Sequence, residues 1–147
     1  MTMMTAAANG ATIKPEVEKA VAAIRDYYAA LPVEVFESPC GGAYVLIHDV
    51  PLGLPYAQAT TWVGVFITNA CPFADTYPFY VRPDLSRKDG AALKTPLHVN
   101  HNWAPSLPDF PARPAVMVSR RQNHAHCLGR ETPLLKLQTV ITWMLKQ

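Results

Sequence analysis

The sequence predicts an α+β fold, an antiparallel sheet backed by helices, on three observations. Residues 14–31 carry apolar side chains at helical spacing. Residues 33–69 hold three β-branched and aromatic runs parted by Gly- and Pro-containing links, and Thr132-Pro133 opens a second amphipathic run. The order is helix, antiparallel β-meander, C-terminal helix.

In residues 14–31 the apolar set is Val17, Ala20, Val21, Ile24, Tyr27 and Leu31, with Glu16, Glu18, Lys19, Arg25 and Asp26 between them. That spacing is one stripe of a helix. Pro15 suits the first turn, where its missing amide costs nothing, and Pro32 ends the run. Residues 33–38 and 43–50 then flank Pro39-Cys40-Gly41-Gly42, which reads as a hairpin. Trp62, Val63, Val65, Phe66 and Ile67 mark a third strand within residues 60–69, with Gly64 inside it.

The chain has 14 prolines, and they cut residues 72–114 into pieces too short for long helices. Mostly loop is expected there, with the aromatic and proline mixture of residues 71–83 laid as an extended cover over the sheet. Residues 86–95 read as an exposed loop, and residues 97–103 and 115–119 as two further strands. Thr132 as cap and Pro133 at the first helical position announce the last helix, whose stripe is Leu134, Leu137, Val140, Ile141 and Met144. Residues 1–13 read as a flexible lead-in and 14–147 as one domain.

Composition narrows the function. The net charge of +2 is too small for a dedicated phosphate-binding surface, so nucleic acid is not indicated. Residues 1–10 lack the basic and apolar regions of a signal peptide, and no run approaches the ~20 apolar residues of a membrane span. Three cysteines without CxxC spacing fit neither a disulfide framework nor a four-thiolate zinc site, which points to a reducing, cytoplasmic setting.

One stretch gathers reactive chemistry: Arg120-Arg121-Gln122-Asn123-His124-Ala125-His126-Cys127. A cysteine acts as a nucleophile through its thiolate, a form favoured by positive charge and by a nearby helix N-terminus. Cys127 has Arg120, Arg121 and Arg130 close in sequence, two histidines within three residues, and a helix start five residues on. Asn123 either donates to an oxyanion or caps a turn. A competing reading makes His98, His101, His124, His126 and Cys127 a zinc site, although their spacing matches no common finger and there is no HExxH. Cys40 reads as a turn residue and Cys71 as packing at a strand end. Trp62, Trp103 and Trp143 read as core or cover.

The order of elements, with Tyr77-Pro78-Phe79 and Pro83, then Cys127-Leu128, then Thr132-Pro133 with Leu137 and Val140, resembles the ubiquitin-conjugating (UBC-like) enzymes over residues 14–147. The eukaryotic members place a His-Pro-Asn triplet shortly before their cysteine, and this chain has none. It looks like the compact bacterial branch, in which histidines near the cysteine are common. Genes of that branch lie with activating-enzyme, ubiquitin-like and JAB-type peptidase genes in operons associated with antiphage defence.

The resemblance implies a carrier. Cys127 accepts a ubiquitin-like modifier from an activating enzyme as a thioester and passes it to the amine of an acceptor lysine on a protein substrate. Asn123 would serve the oxyanion, and His124 or His126 would take the proton. No cofactor, nucleic acid or membrane is required. The missing triplet motivates an alternative, a non-catalytic UBC-like binding or scaffold module.

Overall fold

The computed structural model describes residues 13–121 and 130–147. Within them run helix α1 (Pro15–Tyr27), strands β1 (Val33–Glu37), β2 (Ala43–Pro51), β3 (Thr60–Ile67), β4 (Phe79–Val81), β5 (Leu97–Trp103) and β6 (Arg113–Val118), and helix α2 (Pro133–Met144). The protein is α+β: an N-terminal helix, a six-stranded antiparallel sheet and a C-terminal helix.

Pro15 stands at the first position of α1, Glu16 and Glu18 lie in its first turn and Arg25 in its last, the charge order that the helix dipole favours. Val17, Ala20, Val21 and Ile24 are buried. Complete burial of a side chain like Ile24 contributes about 1.5–3 kcal/mol. The helix is shorter than residues 14–31. It closes at Tyr28, whose amide bonds the Ile24 carbonyl at 3.0 Å. Tyr28 stands four residues past Ile24 and continues its stripe against the core, whereas Tyr27 is 58% exposed. Burial, and secondarily Tyr27 beside it, pushes the Tyr28 hydroxyl up to about 12.

Strands β1 to β3 form the expected meander and β4 extends it, with Val35 opposite Val45, Val45 opposite Val65 and Gly64 opposite Tyr80. The sheet then departs from a simple meander. Its order is β1-β2-β3-β4-β6-β5, so the last hairpin docks through β6 and leaves β5 at the edge. Residues 72–114 are also less irregular than expected. Phe79 and Val81 point into the core and Tyr80 away from it, a two-residue period that fits between Pro78 and Pro83, so this segment joins the sheet as a strand rather than lying over it.

Both helices cover one face of the sheet, where Val45, Val65, Phe79 and Val116 share a core with Ile24, Leu137 and Met144. Tyr56, buried in the link between β2 and β3, donates to the Met144 carbonyl at 2.9 Å and so ties that link to α2. The other face carries Leu46, Trp103 and Ala115 with Phe36, Tyr44, Trp62, Tyr80 and Phe110 around them. The tip of the β5–β6 hairpin folds across it. Phe110 meets Phe36 edge-on at 4.8 Å, and the Ser106 amide donates to the Tyr44 hydroxyl. No helix among the described residues is long and apolar enough to cross a membrane.

Candidate functional site

Cys127, Asn123, His124 and His126 fall within residues 122–129, outside the described residues. What is described is the framework on either side of them. On the near side, the Ser119 amide bonds the Pro96 carbonyl at 3.0 Å as β6 ends. The Arg120 guanidinium then lies 5.1 Å over the Trp143 ring, and the Arg121 guanidinium 4.8 Å over the Tyr77 ring. Cation–π contacts of this kind favour the flat, weakly hydrated arginine head.

On the far side, the Thr132 hydroxyl accepts from the Leu135 amide at 3.1 Å and caps α2, with Pro133 at the first helical position as the sequence predicts. One turn in, Lys136 is 4% exposed and its Nζ lies 2.5 Å from Asp75 Oδ1. That ion pair clamps the loop before Tyr77 to the start of α2. Sequence reasoning missed it, and a signal existed: Lys136 occupies the buried stripe of Pro133, Leu137, Val140 and Met144, three residues after Pro133 and one before Leu137. A lysine on an apolar stripe needs a buried carboxylate partner.

Beside this end of α2, a 220 Å³ groove opens between the two helices, lined by Lys19, Ala20, Ala23, Pro72, Pro133 and Leu134 among others. Phe73 projects from the adjoining loop, 74% exposed. Cys71 is part of the groove wall, and burial, with Glu16 adding to it, pushes its thiol up. Cys40 behaves oppositely. It sits exposed in the β1–β2 turn, and the Ser38 hydroxyl, 3.0 Å from its Sγ, holds the thiol below its usual range.

No protein family, curated protein or solved structure matches this chain. The geometry therefore stands alone. Of the five residues in the zinc reading, His98 and His101 are described, and they lie together with ring centroids 6.1 Å apart. Among the described residues no group of three histidine, cysteine, aspartate or glutamate side chains is placed to hold a metal ion. Trp103 is buried, while Trp62 and Trp143 are half-buried. Trp62 and Trp103 stack at 5.9 Å with Arg113 against both rings, so these two are cover for the sheet, as expected.

Proposed function

We propose that this chain is a UBC-like thioester carrier of the bacterial type, with Cys127 as its nucleophile. One observation carries the reading. The cysteine-bearing segment connects β6, the strand inside the edge strand β5, to a Thr-Pro-capped helix, behind an N-terminal helix and a meander whose β3–β4 link enters β4 through Tyr77-Pro78-Phe79. The clamps on both sides support it. Arg121 on Tyr77 and Lys136 on Asp75 tie the two ends of the segment to that same link.

In this reading the Cys127 thiolate attacks the carbonyl carbon of the modifier's C-terminal thioester on the activating enzyme. A tetrahedral oxyanion forms, and it collapses as the activating enzyme's thiolate leaves. An acceptor amine then attacks the new thioester, the Cys127 thiolate is expelled, and the amine proton passes to His124 or His126. Asn123 donates to the oxyanion. Arg120, Arg121 and Arg130 favour the thiolate by their charge. The groove between the helices offers a protein partner apolar surface next to the α2 start.

The test is to mix the full chain with ATP and with its cognate activating enzyme and ubiquitin-like protein. A thiol-sensitive adduct is expected, and the same yield from Cys127→Ala sinks the proposal. The missing His-Pro-Asn triplet favours a second reading, a non-catalytic module of the same fold. In a Cys40→Ser background, maleimide labelling separates the two. Fast reaction at Cys127 near neutral pH supports the carrier, and a slow, inert thiol supports the module.

A further inference from the structure

His98 and His101 stand three residues apart in β5, and in a regular strand such residues point to opposite faces. Here they do not. His98 pairs with Met117 and His101 with Ala115, so β5 spends three residues where β6 spends two. The extra residue is a β-bulge, and Asn100 adopts φ 63° within it, a left-handed conformation that asparagine tolerates better than most residues. The bulge turns both imidazoles to the same face, with centroids 6.1 Å apart and planes at 65°. His101 is exposed and His98 half-buried, so the pair is reached from solvent.

A second observation concerns the ring nitrogens. His98 Nε2 lies 3.0 Å from Ser119 Oγ. When Nε2–H donates to that hydroxyl, Nδ1 keeps its lone pair, and the ring is held by the kind of outer partner that orients metal-binding histidines. Zinc–imidazole bonds of about 2.0–2.1 Å place two coordinated ring centroids roughly 5–6 Å apart, so a small side-chain adjustment brings both rings onto one ion.

We propose that His98 and His101 form a surface chelate for a first-row divalent transition ion of the zinc, nickel or copper class. Imidazole ligands suit these ions and not magnesium or calcium. Among the described residues no third histidine, cysteine or carboxylate completes the set, so water or a partner's side chain fills the remaining positions. The site is independent of the carrier reading. It needs none of Asn123, His124, His126 or Cys127.

The experiment uses the full chain carrying His124→Ala, His126→Ala and Cys127→Ser, titrated with zinc chloride by calorimetry in a non-chelating buffer. One equivalent should still bind. Adding His98→Ala or His101→Ala should lower the affinity at least tenfold, with an unchanged melting temperature. With nickel(II) as a paramagnetic probe, the His98 and His101 ring protons should broaden first in NMR spectra. Zinc binding that is unaffected by His98→Ala and His101→Ala, or binding abolished by the three background substitutions alone, overturns the proposal.

Discussion

Lys136 Nζ and Asp75 Oδ1 lie 2.5 Å apart with side chains only 5% and 14% exposed, bridging the first turn of α2 and the loop before Tyr77. Removing one member of a buried pair takes from the other charge its opposite partner, which costs up to about 3–5 kcal/mol. Lys136→Ala is therefore expected to lower the urea midpoint by that equivalent at constant slope. Lys136→Met together with Asp75→Asn removes both charges and should recover part of the loss. Equal stability of Lys136→Ala and wild type would show that the pair does not hold the loop.

Gly64 and Trp103 make a second long-range constraint. A Cβ placed on Gly64 would come 2.8 Å from Trp103 Cδ2, so the indole lies flat on the bare backbone of β3. Gly64→Ala is expected to destabilise the protein by about 1–3 kcal/mol through overpacking and to alter the near-UV tryptophan spectrum. In a Trp103→Ala background the same substitution should cost much less. A double-mutant cycle with additive effects refutes the contact.

These features also mark where the sequence was readable. The stripes of both helices and the Gly-Gly hairpin follow local periodicity, and local periodicity is visible in a string of letters. Strand β4 was hidden because prolines at 78 and 83 suggested a cover, although Phe79, Tyr80 and Val81 between them alternate. The bulge at Asn100 left no mark in the pattern of β5, whose residues from His98 to Asn102 are polar or exposed. Lys136 and Asp75 are 61 residues apart, and only the folded chain shows why a lysine stands on the apolar stripe of α2. Cys127 and its neighbours rest on the sequence itself, and the structure adds the clamps beside them.

The two described thiols should separate by pH. A thiol with a lowered pKa holds more thiolate at a given pH, and the thiolate is the species alkylated. Cys40 is lowered by the Ser38 hydroxyl, whereas Cys71 is raised by burial. In Cys127→Ser protein, iodoacetamide should modify Cys40 well before Cys71 at pH 7.5, as read by peptide mass spectrometry. Ser38→Ala should slow Cys40 and leave Cys71 unchanged. Faster labelling of Cys71 in the folded protein contradicts this order.

Asp89 accepts from the Arg87 guanidinium at 2.9 Å and from the Ala91 amide at 2.9 Å, and the Arg87 bond above all holds its carboxyl down at about 2. Because the folded value lies below the unfolded value of about 3.9, the stabilisation is present above pH 4 and is lost as pH falls through about 2. The carboxyl carbon resonance of Asp89 should therefore titrate well below that of an unpaired aspartate. Arg87→Ala should bring its midpoint up toward the ordinary range. A midpoint that does not move assigns the shift to another cause.

The arginines before residue 122 give the most direct link between framework and chemistry. Arg121 lies 4.8 Å over Tyr77 and Arg120 5.1 Å over Trp143, so the chain enters the cysteine segment across two rings, one on the β3–β4 link and one on α2. An exposed cation–π contact contributes about 0.5–1 kcal/mol, equivalent to about two- to fivefold in a rate if it is needed to hold Cys127 in reach of a thioester. Under the carrier proposal, Tyr77→Leu should slow thioester formation by that factor while Tyr77→Phe keeps most of it, since the ring rather than the hydroxyl makes the contact. Arg121→Lys keeps the charge but loses the planar stacking surface, and it should fall between wild type and Arg121→Ala. Combining Arg121→Ala with Tyr77→Leu should cost little more than either alone. Fully additive losses would mean that the two residues act separately and that their contact does not position the segment.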